Sequence, residues 1–568
     1  MKRYSVALIL ILATGLGSVA LAEANGEAGT ETTPPSPVEQ LLQSDFRPGN
    51  FRLLDERRAV WNGVKAIYKA NDMQPLWTGS RAAKQRARQL ISKLLTSSQH
   101  GLIPREYDAQ RFADAFRKRN FARLTPDTAR DATSLDVSLT SAMLAYAHDI
   151  WDGRVEPADV RSEHEVYLKR DTIDPVKLWK SIEEDDVASA LTSLEPQHEH
   201  YKALTRLMKE ALARKDKGGF TKVTTDYLKR GDRGEAVYAL IKRLCEGGYL
   251  YMDLPKNSED AVFDRGVEAA LQRVQRESAL KEDGIYGPAT AAILNQSVEK
   301  RIERLAINMD RWRWLPRDMG EQYLWVNIPD YRLRVFGDGE EQWSTRIIAG
   351  TSVHRTPVFA DKLEYIVFSP SWHVPKSIIG NELIPMFRND PKRVNEKNME
   401  ITDVDGEVLD PMAIDWSEIS AADINVRQKP GPSNALGRVK FIFPNRYAIY
   451  LHDTPSDHLF ENSKRSFSHG CIRVSEPQRL ADYLLRDDDD WTEDKIETAM
   501  SAEEAEKAYL GEPLPVYITY FTAMPDSRGD LRLLADVYEH DQVMAEALSE
   551  ETPKIAPTRA LTTTAAGL

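Results

Sequence analysis

The spacing of apolar residues changes along this 568-residue chain, and that change limits the fold more than any other feature. Up to about residue 315 they recur at helical intervals. Trp61, Val64, Ile67 and Tyr68 fall on one face; Leu90, Ile91, Leu94 and Leu95 form a second stripe, closed by Gly101. Leu135, Leu139, Ala142, Tyr146 and Ile150 form a third. Such spacing predicts amphipathic helices. From residue 323 the pattern becomes short runs of β-formers, at 323–328, 331–336, 343–349, 363–368, 439–443, 447–451 and 515–521. Gly337-Asp338-Gly339 and Pro444-Asn445 supply turn signals between them. Helices segregated from strands predict an α+β multidomain protein, with three or four domains at this length.

The chain divides further on composition. Met1-Lys2-Arg3, an apolar run and Ala20-Leu21-Ala22 read as a signal peptide over 1–22, cleaved before Glu23; an uncleaved inner-membrane anchor is the alternative. Residues 23–38 read as a linker and 39–220 as a helical scaffold domain without chemistry. His198 and His200, flanking Glu199, read as solvated surface. Residues 225–296 predict a small helical bundle, 297–315 a linking helix and 320–545 a β-rich domain. The polar segment 378–432 is too long for an ordinary strand connection. Residues 546–568, rich in Ala and Thr, read as a disordered tail. In Arg311-Trp312-Arg313-Trp314 the expected role is packing one domain on another. A net charge of −13 argues against nucleic acid.

Chemistry concentrates at Ser468-His469-Gly470-Cys471-Ile472-Arg473. Cys471 is one of two cysteines, the other being Cys245, and a free thiol is expected. His452 lies upstream at the end of the run 447–451. An imidazole that takes the thiol proton would let the thiolate attack a carbonyl. Gly470 permits a tight turn, and N–H groups beside Cys471 would hold an oxyanion. Two rival readings stand beside this one. One is a zinc peptidase drawing on His452, Asp453, His458 or His469, and Cys471, although the spacing follows no zinc motif. The other is a non-catalytic wall-binding protein working through residues 225–296.

His452-Asp453-Thr454 followed by Ser468 to Val474 resembles the active-site signature of the L,D-transpeptidases, which remodel bacterial peptidoglycan through a cysteine. The glycines of 225–296, with Asp283-Gly284-Ile285-Tyr286-Gly287 and Thr290, resemble a peptidoglycan-binding domain; Val274 stands where Phe is frequent. The resemblance implies a mixed β-sandwich catalytic domain, and a cap inserted at about 378–432 that rejoins the core through Gln428 to Gly437. It implies Cys471 as nucleophile, His452 as base, and His469 and Gly470 shaping the oxyanion loop. Arg473 would pair with a stem carboxylate or brace the loop, Ser468 would contact substrate, and Trp372 would line the pocket or pack the core. It further implies 3–3 cross-links between stem peptides, a thioester, release of D-alanine, no metal and no cofactor. The remaining implications are peptidoglycan stems as substrate, other wall synthases as partners, a periplasmic location and capture by carbapenems.

Overall fold

The protein is described from a computed structural model, over residues 35–44, 54–118, 126–157 and 172–550. The expected signal peptide and most of the expected linker lie outside the described residues. So do residues 551–568 of the expected tail.

The scaffold helices include Leu54–Ala70, Arg81–Leu95, Pro126–Trp151 and Pro175–Glu184. The side chain of Ser80 accepts from Ala83 N, and that of Asp174 from Val176 N and Lys177 N, so orphan N–H groups at two helix starts are satisfied. Their apolar faces meet in one core containing Val64, Tyr68, Trp77, Leu90, Leu94 and Ile150. Asp136 is wholly buried in that core. Its carboxylate accepts from Leu76 N, Trp77 N, Thr78 N and the Tyr68 hydroxyl at 2.6–2.9 Å. A buried carboxylate is tolerable with so many donors.

Helices Glu235–Gly247, Arg265–Glu277 and Pro288–Leu294 form the small bundle. Its Asp283-Gly284 turn is tied by Gln275, whose Nε2 donates to Asp283 Oδ1 at 2.8 Å and whose Oε1 accepts Gly284 N at 2.9 Å. Gly284 has φ +68°, and a Cβ there would lie 2.8 Å from Glu268 Cγ, so the turn needs glycine. Val274 is fully buried in the bundle core.

The helix Val298–Trp314 joins the parts. Trp312 stacks on Phe521 at 4.6 Å and on His198 at 4.5 Å between ring centroids. Arg311 reaches Asp541 at 2.6 Å, Arg313 reaches Asp310 at 2.9 Å, and Trp314 Nε1 donates to Val155 O at 3.0 Å. The aromatic–basic run therefore packs scaffold, linking helix and C-terminal segment together.

Two expectations need correction here. His198 and His200 are half-buried instead of solvated: their rings lie among Trp312, Trp325 and Phe336. The tail does not begin at 546, because His540–Glu550 is a helix whose Met544 and Leu548 pack on Val155, Ile307 and Trp314.

Burial pulls three imidazoles of this region down, His100 to about 3, His198 to about 4 and His200 to about 3. A histidine buried neutral contributes stability that is present above its unfolded value near 6.5 and lost as pH falls toward its folded value. Each pKa unit of difference is worth about 1.4 kcal/mol. The thermal midpoint should therefore fall steeply between pH 6.5 and 4, and His200→Phe should flatten that fall. A scan by circular dichroism across this window checks it; a midpoint level down to pH 4 would contradict it.

The strands are β1 Tyr323–Asn327, β2 Arg332–Gly337, β3 Glu340–Gly350, β4 Phe359–Phe368, β5 Trp372–His373, β6 Met399–Thr402, β7 Asn425–Gln428, β8 Val439–Ile442, β9 Leu451–His452, β10 Ser466–Ser468, β11 Ile472–Val474, β12 Glu506–Thr519, β13 Ala523–Pro525 and β14 Leu531–Leu533. Nine form one mixed sheet in the order β10-β3-β11-β9-β8-β4-β12-β1-β2, and β2 also pairs with β3. The sheet thus folds back on itself, and its walls enclose a core of Leu324, Val335, Ile347, Phe441, Leu451 and Ile472. β5, β7 and β6 form a separate three-stranded sheet. With the helices Ile384–Asn389 and Arg393–Glu396 it builds a subdomain around its own core of Ile379, Phe387, Val394 and Trp416.

The expected strand 447–451 shrinks to Leu451–His452. The Asn445 side chain explains why. Its Oδ1 accepts Tyr447 N and Ile449 N at 3.0 and 3.2 Å, and its Nδ2 donates to Phe443 O and Ile449 O at 2.7 Å. Ala448 takes φ 54° within this loop. An Asn side chain has replaced the ladder that a second strand would have supplied.

Candidate active site

β11 runs parallel to β9, with Ile472 opposite Leu451 and Arg473 opposite His452. Ile472 and Leu451 are fully buried in the sheet core. Strand alternation then sends their flanking residues to the other face. Cys471 and Arg473 project there from the β11 side, and Tyr450 and His452 from the β9 side. Lys440 joins them, because β8 places it opposite His452 while Phe441 enters the core.

Cys471 sits at the head of β11. Its sulfur lies 3.8 Å from Ala448 O, which the Asn445 loop supplies, and Tyr450 stands beside it. Burial pushes the thiol up, opposed by Tyr450 and by the cations of Arg473 and Lys440. His452 is 4% exposed, and burial pulls it down to about 3, with Arg473 as the next cause. Its Nδ1 lies 2.5 Å from Asp453 O. A carbonyl only accepts, so Nδ1 carries the proton and Nε2 keeps its lone pair. At neutral pH Cys471 is thus a thiol and His452 a neutral imidazole.

The loop around the thiol is held from within. Gly470 has φ +113°, and a Cβ would lie 3.2 Å from Ile449 Cδ1. Gly470 O accepts from Thr356 Oγ1 at 2.7 Å. Ser468 is 3% exposed; its Oγ donates to Cys471 O at 2.5 Å and accepts Gly470 N at 3.1 Å. The Ser468 hydroxyl and the Gly470 N–H are therefore both engaged inside the loop.

His469 is half exposed and reaches Glu382 Oε1 at 2.8 Å. Its ring lies 4.6 Å from that of His354. Glu382 belongs to the inserted segment, so the subdomain is tethered to the loop that carries Cys471. Trp372, in β5, packs on the subdomain core. Arg473 Nε is buried with no hydrogen-bond partner, while its charge acts on Cys471 and His452.

Sequence reading did not single out Tyr450, Lys440, Ala448 or Glu382. The alternation around Leu451 could have flagged Tyr450, since a residue one position before a core residue shares the face of His452. Nothing in sequence spacing could have paired Glu382 with His469. Among the described residues, no three His, Cys, Asp or Glu side chains are grouped as metal ligands would be. Asp453 instead accepts Arg438 N and Thr454 N, both at 2.7 Å.

Comparison with known proteins bears on this arrangement. Residues 321–515 match the L,D-transpeptidase catalytic domain, residues 233–294 a candidate peptidoglycan-binding domain and residues 62–208 a scaffold domain. Over the first of these the chain is similar to the L,D-transpeptidases. A candidate L,D-transpeptidase of Haemophilus influenzae is 38% identical over 241 residues, 42% of this chain and 48% of that protein. The chain thus aligns with about half of that relative's length. The N-acetylmuramoyl-L-alanine amidase CwlL of Bacillus licheniformis is 38% identical over 74 residues, 13% of this chain and 20% of the amidase. Among solved structures, an L,D-transpeptidase of Xylanimonas cellulosilytica shows 16% identity and a TM-score of 0.17, covering 52% of this chain and 98% of that one. One of Stackebrandtia nassauensis shows 12% identity and a TM-score of 0.20, covering 53% and 96%. Likenesses at these scores carry no weight for fold or function.

Proposed function

We propose that the protein is a periplasmic peptidoglycan L,D-transpeptidase that forms 3–3 cross-links through a thioester on Cys471. The observation that carries this reading is the shared face of Cys471, Tyr450, His452, Arg473 and Lys440 inside the segment that matches the catalytic domain. His452 Nε2 takes the thiol proton as sulfur attacks the carbonyl of the third residue of a donor tetrapeptide stem. Tyr450, Arg473 and Lys440 stabilise negative charge on sulfur as it develops. The C–N bond to the terminal D-alanine breaks, and the proton held by His452 leaves with the amine. The amine of a neighbouring stem then attacks the thioester. A new amide forms, the C–S bond breaks and the thiol regains its proton.

The inserted subdomain caps this site, with Glu382–His469 as its tether. Caps exclude water, which would otherwise hydrolyse the thioester. The bundle at 225–296 supplies affinity for the wall. The zinc reading has no grouped ligand set among the described residues. The non-catalytic reading leaves the cations around Cys471 without a purpose.

The test is product analysis by mass spectrometry after incubation with a defined disaccharide-tetrapeptide. The expected product is a dimer lighter than two substrates by one D-alanine and linked between third-position residues. Thiol alkylation should abolish it and a chelator should not. Only hydrolysed monomer, or loss on chelation restored by zinc, would overturn the reading.

A further inference from the structure

A polar cavity of about 260 Å³ lies where the small bundle meets the nine-stranded sheet. Arg276 and Glu282 line it from the bundle; Arg332, Arg346 and Arg465 line it from the sheet side. Five arginines line it against four carboxylates, Glu277, Glu282, Asp330 and Glu461, so the charges do not cancel. Arg276 is paired with Glu282 at 2.7 Å and Arg346 with Glu461 at 2.9 Å. Arg532 is paired with Asp330 at 2.9 Å, and Arg334 also holds that carboxylate. Two guanidiniums are left over. Arg332 reaches only Ser344 Oγ, at 3.1 Å, and forms no ion pair among the described residues. Arg465 donates to Ile347 O, Asn462 O and Tyr331 O at 2.7–3.2 Å, again with no carboxylate. Burial, then the charges of Arg332 and Arg346, pull Arg465 down to about 10.

A structural role accounts for Arg465, which ties three carbonyls. It does not account for Arg332, which adds repulsion to a half-buried cation and gains one neutral hydrogen bond. In a chain of net charge −13, a local excess of cations over carboxylates calls for an anion. Guanidinium forks suit carboxylate and phosphate oxygens alike. The place of the cavity decides between them. One wall belongs to the segment that matches a peptidoglycan-binding domain, and Arg465 immediately precedes β10, whose Ser468 holds the Cys471 loop. Tyr331, also in the lining, bonds Ser466 of that strand at 2.6 Å.

We infer that this seam is an anion site, with Arg332, backed by the charge of Arg465, receiving a free carboxylate of a peptidoglycan stem peptide carried on a glycan strand that the bundle holds. The naming of the ligand rests on the function proposed above. Binding here fixes the strand relative to Cys471 without entering the reaction.

The experiment uses the full chain with Cys471→Ser, so that nothing turns over. A stem tetrapeptide, the same peptide with its carboxylates amidated, and inorganic phosphate are each titrated by calorimetry. The first should bind with an affinity that falls as salt rises, and about tenfold more weakly in Arg332→Gln. Ser344→Ala, which removes only the partner of Arg332, should bind as the parent does. With Cys471 present, Arg332→Gln should lose severalfold in cross-linking of insoluble wall while keeping its rate on soluble tetrapeptide. Phosphate that binds through Arg332 where the peptide does not would overturn the inference, as would equal binding of the amidated peptide. So would an Arg332→Gln chain unchanged on both peptide and wall. Arg332-dependent peptide binding in a chain that makes no cross-link would leave this site standing and remove the proposed reaction.

Discussion

Cys471→Ala should lose cross-linking by a factor on the order of 10³ or more, because every step of the proposed reaction passes through its sulfur. Cys471→Ser should fare little better. The same Tyr450 hydroxyl and the same cations would face a hydroxyl, which is far harder to ionise than a thiol. Cys245→Ser should retain most activity. That cysteine sits half-buried on the helix Glu235–Gly247, 3.9 Å from Met252 O, and packs on the bundle core. The thermal midpoints of all three variants should stay close to the parent, so loss of activity cannot be put down to unfolding. Product mass spectrometry decides the matter. Dimer formed at parental rate by Cys471→Ala would sink the thioester mechanism.

Much of the fold was legible in the sequence, because the period of apolar residues follows directly from helix and strand geometry. Val64, Ile67 and Tyr68, or Leu90 and Leu94, face the core because 3.6-residue spacing puts them there. The failures share a cause: a side chain took over work that the pattern assigned to backbone or solvent. Asn445 bonds the residues after it and removes most of an expected strand, although Tyr447, Ile449 and Tyr450 are good strand formers. His198 and His200 sit on a helix whose neighbours are charged, yet aromatic partners from residue 312 onward enclose them. Leu548 belongs to a tail rich in small residues, and only the groove beside Trp314 orders it. At the candidate site, Cys471, His452 and Gly470 were legible as residue types suited to one chemistry. The rest of the face was not. Lys440 reaches it by strand register, and Glu382 tethers to His469 from an insertion folded around its own core. Register and insertion docking are set by long-range packing, which spacing along the chain does not encode.

A carbapenem should acylate Cys471, since a thiolate that opens a stem amide can also open a strained lactam, and the pH dependence of that step should expose the role of His452. Burial holds His452 down to about 3, so its Nε2 is free to take a proton throughout the range from pH 5 to 8. Burial also holds the thiol above its ordinary value, so little free thiolate exists at neutral pH. With His452 present, the base travels with the nucleophile, and the rate of adduct formation should change little across this range. In His452→Ala that base is gone. Reaction must then wait for thiolate formed by solvent, and the rate should rise about tenfold per pH unit while the thiol remains mostly protonated. The two profiles should diverge most at pH 5, where the loss should reach roughly a thousandfold relative to pH 8, the slope of one decade per unit applied over the range. Intact-protein mass spectrometry with time gives both profiles, and Cys471→Ser gives the blank. Removing residues 225–296 with the fold intact should leave both unchanged. Parallel profiles for the parent and His452→Ala would mean that His452 orders the strand end and moves no proton, and an adduct on any other residue would remove Cys471 from the centre of the chemistry.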